Sequence, residues 1–374
     1  MKIEPIGLYV HIPFCLKKCN YCDFCSFSTL EKQERDLYLS RLEEEILSYK
    51  HSEKIPVNTV FFGGGTPSLL EPSEFFKICD AISESFEILP DTEFTVEANP
   101  KTLNRDKLRA FTSRGVNRIS LGLQSIHENE LKMLGRIHDA LDFQNAYQLC
   151  QENGILNINI DVMYGIPEQT ARSFQKTLEY VTSLQPTHIS AYGLILEEAT
   201  KFWDIRNSLP LPSEDDECDM YNLACCFLSS NGYSHYEISN YSKPGFESMH
   251  NLKYWRNKEY IGVGISAFSY FNDSRYGNTR ILSEYLSENP KQYVSEDLIS
   301  KSESAYEFAM LAFRLSEGLL LSEYKNLYGV DFLVGREERI DAYVKAGYMR
   351  RTNERIFLTE KGFYVSNTIL TDLL

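Results

Sequence analysis

The stretch "YVHIPFCLKKCNYCDFC", residues 9–25, decides how this chain folds and what it holds. Its beginning belongs to "GLYVHI" (7–12), which reads as a β-strand. Its end places Cys15, Cys19, Cys22 and Cys25 within eleven positions. Four thiolate ligands would close a metal site, whereas three would leave one coordination position open for chemistry. The cysteines are spaced by three, two and two residues, all in one loop that directly follows a strand. Structural zinc sites usually draw their ligands from two separated knuckles. One compact thiolate-rich loop fits a cubane iron–sulfur cluster better, and a redox pair would need only a single CxxC.

Outward from this loop, strand-like and helical segments alternate. "NTVFFGG" (58–64), "EFTVEAN" (93–99), "RISLGLQ" (118–124), "NINIDVMYG" (157–165) and "HISAYGLIL" (188–196) read as strands. Amphipathic stretches such as "RDLYLSRLEEEILSYK" (35–50) and "SEFFKICDAISESF" (73–86) lie between them. Such alternation implies parallel strands with crossover helices, and six units predict an α/β barrel or partial barrel. Five of the six strand ends carry polar or glycine residues: His11, "GGGTPS", Glu97, Gln124 and Asp161. That rim is where parallel α/β folds bind ligands, so a shared site is predicted there.

The rhythm changes after residue 210. "SLPLPSEDDE" (208–217) predicts a surface connection into a helix. An aromatic- and Gly-rich region follows, then a helical tail in which "TNERIFLT" predicts a short hairpin and "EKGFYVSNTILTDLL" a closing helix. The predicted division is a core over 1–230 and a C-terminal region over 231–374. The formal net charge of −15 argues against a nucleic-acid-binding surface, including for a winged-helix-like tail. No apolar run approaches bilayer-spanning length, and "MKIEPIGLYV" lacks the apolar core of a signal peptide. Nine cysteines, five of them scattered, point to metal ligation plus buried thiols in a reducing cytoplasm.

"CLKKCNYC" is CxxxCxxC, and it follows "YVHIPF" at a strand end as in the radical S-adenosylmethionine superfamily, which the chain resembles. "FFGGGTPS" (61–68), "TVEANP" (95–100), "SLGLQS" (120–125), "LGRIHD" and "NIDVMYGIPEQT" extend the resemblance over nearly the whole chain. It implies a partial (β/α)6 radical SAM barrel with a smaller, mainly helical, winged-helix-like C-terminal domain. It further implies a [4Fe–4S] cluster held by Cys15, Cys19 and Cys22, with the fourth iron left for S-adenosylmethionine. That cofactor would contact Tyr9, Tyr21, Gly64, Gly65, Thr66, Glu97, Gln124, Arg136 and Asp161. The glycines are expected to let backbone approach the ligand, and Glu97 to accept hydrogen bonds from ribose hydroxyls.

Two branches of the superfamily are similar to the chain. The coproporphyrinogen III dehydrogenase branch, HemN, carries an extra segment before the cluster and a cysteine two positions beyond the third ligand. Here Cys15 comes almost at once and that position is Phe24, as in the haem-chaperone branch, HemW. "HNLKYW" (250–255) matches the HNxxYW motif associated with haem in the chaperone branch. The resemblance therefore implies a cytoplasmic chaperone that binds haem and passes it to an acceptor protein. It leaves open whether the S-adenosylmethionine is cleaved. The alternatives are the dehydrogenase and a structural metal-binding adaptor. His250 offers an imidazole to haem iron, beside Asn251, Tyr254 and Trp255; the competing role is a packed, hydrogen-bonded core residue. His235 is a second ligand candidate, while His51, His127, His138 and His188 read as surface or structural. Cys25 is predicted to be an extra thiol outside the ligand set, available to cap the fourth iron when the cofactor is absent.

Overall fold

The computed structural model describes residues 4–287 and 293–374. Six parallel strands form its centre: β1 (Ile6–Ile12), β2 (Ile55–Gly64), β3 (Phe86–Ala98), β4 (Arg118–Gln124), β5 (Asn157–Tyr164) and β6 (His188–Gly193). Each pairs with the next in chain order. Between them run α1 (Lys32–Leu47), α2 (Pro72–Ser85), α3 (Arg105–Ser113), α4 (Glu128–Leu134), α5 (Ala140–Glu152) and α6 (Ala171–Ser183). Reciprocal capping fixes several starts: Glu31 with Glu34 at α1, Asp139 with Asp142 at α5, Thr170 with Ser173 at α6. The alternation of side chains along a strand then sorts the two faces. Leu8, Val10, Val60, Phe62 and Val96 are fully buried against the helices, where Phe75 meets Phe62 at 5.4 Å and Phe111 at 4.7 Å. Tyr9, His11, Phe61, Gly63, Glu93 and Glu97 occupy the opposite, inner face.

The sheet does not stop at six strands. β7 (Ser234–Glu237) and β8 (Asn240–Ser242) extend it beyond β6, after α7 (Lys201–Asp204) and α8 (Glu214–Ser230). Following α9 (Met249–Trp255), β9 (Tyr260–Val263) lies parallel to β1, and β10 (Phe268–Phe271), β11 (Ser274–Asn278) and β12 (Tyr293–Leu298) continue outward antiparallel. The result is a sheet of twelve strands, and the expected boundary at residue 230 falls within it. These added strands are mostly three to five residues long, too short for a period of two to register in sequence.

Two segments differ from expectation. "HISAYGLIL" ends as a strand at Gly193, because Leu194 and Leu196 pack against a small apolar cluster around Leu134, Met163 and Phe202 beside the cysteine loop. The closing segment forms two helices, Glu360–Tyr364 and Ser366–Leu373, which break at Val365. The tail otherwise has the expected character: helices at Lys301–Ala312, Leu321–Tyr328 and Glu337–Lys345, with a three-stranded sheet built on the hairpin of Met349–Arg351 and Arg355–Leu358. The acidic run after Ser213 is the first turn of α8. There Ser213 accepts from Asp216 N–H, and Glu214 to Glu217 face the positive end of the helix dipole. Among the described residues no helix is long and apolar enough to cross a membrane; residues 1–3, where the leader reading begins, lie outside them.

Glu45 locks α1 to the extended side of the sheet. Its buried carboxylate accepts from Tyr285 Oη at 2.6 Å, Asn278 Nδ2 at 2.7 Å and Gly264 N at 3.0 Å. Removing it leaves three buried donors without this acceptor, so Glu45→Ala should lower unfolding free energy by about 4 kcal/mol. Urea denaturation against Glu45→Gln, which keeps an acceptor, checks this; equal losses in the two variants would refute it.

Candidate functional site

The cysteine loop is anchored before it reaches its thiols. Phe27 N–H donates to Pro13 C=O at 2.7 Å and Cys15 N–H to Phe27 C=O at 3.0 Å, closing the loop on itself. Asn20 ties the far side to the end of α4: its N–H donates to Leu134 C=O and its Nδ2 to Met133 C=O. The glycine-rich end of β2 packs directly under the loop's start, with Gly65 N–H on Ile12 C=O and Thr66 N–H on Phe14 C=O.

Both glycines are needed for that approach. A Cβ on Gly64, whose φ is +107°, would meet the His11 ring at 2.5 Å, and one on Gly65 would meet Phe14 O at 2.7 Å. The close approach that excludes a side chain here is thus to the end of β1 and the start of the cysteine loop, a reason not anticipated from the sequence.

Cys15, Cys19 and Cys22 open onto one cavity of about 330 Å³ at the C-terminal ends of the strands. Tyr21, Gly64, Gly65, Thr66, Glu97, Gln124, Arg136 and Asp161 line the same cavity. Cys15 Sγ lies 3.7 Å from Thr66 Oγ1, and Arg136 Nη1 points at Cys19 Sγ at 3.6 Å while Nη2 donates to Gly122 C=O at 2.7 Å. Burial pushes the Cys15 thiol up and that of Cys22 up to about 11. Tyr9 stands one layer lower. Its hydroxyl binds His11 Nδ1 at 3.0 Å, and His11 Nε2–H donates to Cys25 C=O at 2.8 Å. Burial lowers His11 to about 4, which keeps this imidazole neutral in that role.

The cavity concentrates buried charge. Glu97 is raised to about 7, first by burial and then by the charge of Asp161, against the Gly64 N–H on its Oε2 at 3.2 Å and the pull of Arg118. Burial also raises Asp161, although Asn159 Nδ2 donates to it at 2.7 Å. Gln124 closes β4 with a φ of 69°, and its Oε1 accepts from Tyr192 at 2.8 Å. A non-glycine residue held at positive φ in a ligand cavity marks a position that its surroundings impose. Ser120, Met163, Tyr192 and Leu194 also line the cavity and escaped the sequence reading. Tyr192, at a strand end like the others, carried the one usable signal.

Cys25 faces elsewhere. Its thiol lies 3.6 Å from Arg280 C=O, and it lines a neighbouring cavity of about 490 Å³ with Lys18, Phe24 and Arg280. Phe24, 61% exposed, lines both spaces, as do Lys18, Asp23, Ser26 and Glu197.

The HNxxYW segment is α9, and it closes the barrel from the end opposite the cysteine loop. Glu93 accepts the N–H groups of Met249 and His250 at 3.0 Å each, so a charged acceptor caps the helix N-terminus. His250 is buried, with Nδ1 2.9 Å from Thr59 Oγ1, Nε2 2.8 Å from Tyr254 Oη, and its ring stacked on Phe61 at 5.2 Å. Burial, with Lys253 and Arg118 nearby, lowers it to about 3. In this conformation both nitrogens are engaged and neither offers a free lone pair. Trp255 lies apart, under Arg314 at 5.4 Å, on a cavity of about 270 Å³ that it shares with Phe308 and Leu315. Asn251 is half-buried on the same helix. The four haem candidates therefore share a helix but not one cavity. His127, His138 and His188 are tied to Ser173 C=O, Leu123 C=O and the Asn159–Tyr236 pair respectively.

Thiols, carboxylates and amide donors around one cavity at the C-terminal rim of a partial α/β barrel define a protein that holds a thiolate-ligated cluster beside an organic cofactor. A multi-iron cluster binds each thiolate at a different metal, which suits three thiols that open onto one cavity. The model for the Radical SAM superfamily matches residues 9–181, and that for the HemN C-terminal domain matches residues 299–365. Over 99% of its length the chain is 36% identical to the heme chaperone HemW of Lactococcus lactis, covering 98% of that protein. It is 33% identical to HemW of Escherichia coli, over 99% and 98% of the two chains. The structure of coproporphyrinogen III oxidase (HemN) from Escherichia coli superposes with a TM-score of 0.86 at 24% identity, covering 98% of this chain and 89% of that one, a likeness of fold. The chain belongs to the HemW family within the radical SAM superfamily. Its superfamily cofactors are a [4Fe–4S] cluster and S-adenosylmethionine, and the donor set described above fits them.

Proposed function

We propose that this protein is a cytoplasmic haem chaperone, which binds haem and delivers it to a haem-free acceptor protein. The observation that carries the reading is the near full-length similarity to HemW proteins, joined to an intact cofactor cavity. Cys15, Cys19 and Cys22 would hold the cluster. S-Adenosylmethionine would lie against Tyr21, Gly64, Gly65, Thr66, Glu97, Gln124, Arg136 and Asp161. Bound together and with the cofactor cleaved, the two would supply one-electron scission of a C–S bond. Arg136 holds its Nη1 against Cys19 Sγ, and Glu97 accepts hydroxyl donors from the ligand. Tyr9 acts through His11, whose bond to Cys25 C=O holds the loop. Haem contact belongs to the α9 segment, where His250 and Tyr254 hold the helix and Trp255 presents its face to a cavity.

Haem titration of the anaerobically purified chain, followed by transfer to an apo-acceptor, should give stoichiometric binding and loss of haem to the acceptor. Rapid decarboxylation of coproporphyrinogen III by the same preparation would instead establish the dehydrogenase.

Glu97 gives this reading a pH signature. A hydroxyl donates more strongly to its carboxylate than to its protonated form, so binding S-adenosylmethionine favours release of the proton that burial retains. With Glu97 near 7, affinity should rise about fivefold between pH 6 and 7 and level off above. Calorimetry in buffers of different ionisation heat should register the proton release, and Glu97→Gln should bind more weakly without the slope. A pH-independent affinity in the wild type would contradict it.

A further inference from the structure

Away from the cofactor cavity, a second group of metal-type ligands crosses from the sheet to the C-terminal module. Cys225 on α8, His235 on β7 and Glu360 at the start of the helix Glu360–Tyr364 bring one ligand atom each within 4.8 Å of the others. No sequence motif joins them; the fold does. From this juxtaposition we infer that Cys225, His235 and Glu360 form a binding site for a zinc-type divalent cation, which fastens the C-terminal module to the edge of the barrel sheet.

The surroundings are built for ligation. His235 Nδ1 is buried without a hydrogen-bond partner, while Nε2 faces Ile238 C=O at 3.4 Å. One ring nitrogen held by a backbone carbonyl and the other left free is the usual preparation of a metal-binding imidazole. The ring is stacked on Tyr241 at 4.2 Å with an interplanar angle of 11°, which fixes its plane. Tyr241 Oη lies 3.2 Å from Cys225 Sγ, placed to donate to a thiolate. Glu360 is positioned by its own backbone: Tyr221 Oη donates to its carbonyl at 3.2 Å, and Thr359 caps the helix that begins with it.

A cavity of about 520 Å³ opens beside His235 and Glu360, room for a water as fourth ligand. Without an ion Cys225 stays protonated, since burial raises its thiol. On binding it loses that proton to solvent, and thiolate plus carboxylate balance the dication. A thiolate, an imidazole and a carboxylate select zinc or cobalt over magnesium or calcium.

The test uses the full chain carrying Cys15→Ser, Cys19→Ser and Cys22→Ser, so that the loop cannot compete, and Co²⁺ alone as the probe. One Co²⁺ per chain with a sulfur-to-cobalt charge-transfer band, displaced by Zn²⁺, is expected. Cys225→Ser on this background should abolish the band. Glu360→Gln, on the exposed ligand and thus safe for folding, should weaken Co²⁺ binding about tenfold or more with the circular dichroism unchanged. Absence of the band, its survival in Cys225→Ser, or unchanged Co²⁺ affinity in Glu360→Gln would each overturn the site.

Discussion

Cys22→Ser should leave the protein without its [4Fe–4S] cluster, whereas Cys25→Ser should assemble a full complement of iron and sulfide. The two positions are three residues apart in one loop, so proximity in sequence cannot separate them; direction does. Cys22 lines the cavity shared with Cys15, Cys19 and Arg136. Cys25 lines the neighbouring cavity, against the Arg280 carbonyl, and its own carbonyl is held by His11. Turning its sulfur into the cofactor cavity would cost its contact with the Arg280 carbonyl, while the His11 bond holds the backbone of Cys25 in place. Cys22, pushed up to about 11 by burial, must also lose its proton to solvent for its thiolate to bind iron, so cluster assembly should improve as pH rises. Iron and sulfide analysis after anaerobic reconstitution, with electron paramagnetic resonance of the reduced protein, reads the difference. If Cys25→Ser lost iron as completely as Cys22→Ser, the loop would have four ligands and the assignment would fall.

Much of this geometry was legible because it is local. The cysteine spacing, the strand ahead of it and the polar residues at successive strand ends are features of short windows, and the fold brings those ends to one rim. The central strand "RISLGLQ" coincides with β4 at both ends, since every residue in it is buried and the pattern is unbroken. What sequence could not supply were relations between distant segments. Gly64 and Gly65 are required by the His11 ring and the Phe14 backbone, some fifty residues earlier in the chain. Leu194 and Leu196 leave the sheet for a cluster completed by Leu134 and Phe202. The direction of Cys25 depends on Arg280, and the grouping of Cys225 with His235 and Glu360 depends on where the C-terminal module docks.

The interior of the barrel carries a cost that its function explains. Glu97, Asp161, Arg118 and Arg136 all lie within a space that could have been filled by aliphatic side chains. Burying ionised groups is unfavourable unless each finds partners. Several do find them: Gly64 N–H for Glu97, Asn159 for Asp161, Gly122 C=O for Arg136. Glu97 is nevertheless left raised to about 7. A polar ligand that donates to these carboxylates would relieve that cost, so the strain of the free cavity favours binding.

The opposite end of the barrel yields the second large effect: His250→Ala should unfold about 3 kcal/mol more easily than the wild type while still binding haem with an unchanged absorption spectrum. The imidazole fills the space between Phe61 and Tyr254 and bonds to both Thr59 and Tyr254, so its removal leaves a cavity and two buried hydroxyls without that partner. Ligation of haem iron by His250 would require breaking one of these bonds and exposing an imidazole that is buried. Thr59→Val separates the two roles, because it removes the partner of Nδ1 but keeps the imidazole. If His250 holds the floor of the barrel, both variants lose stability and neither alters the spectrum of bound haem. If His250 ligates iron, His250→Ala alone loses that spectrum. Urea denaturation and haem titration of the two variants, run beside the wild type, decide between a packed histidine and an axial ligand.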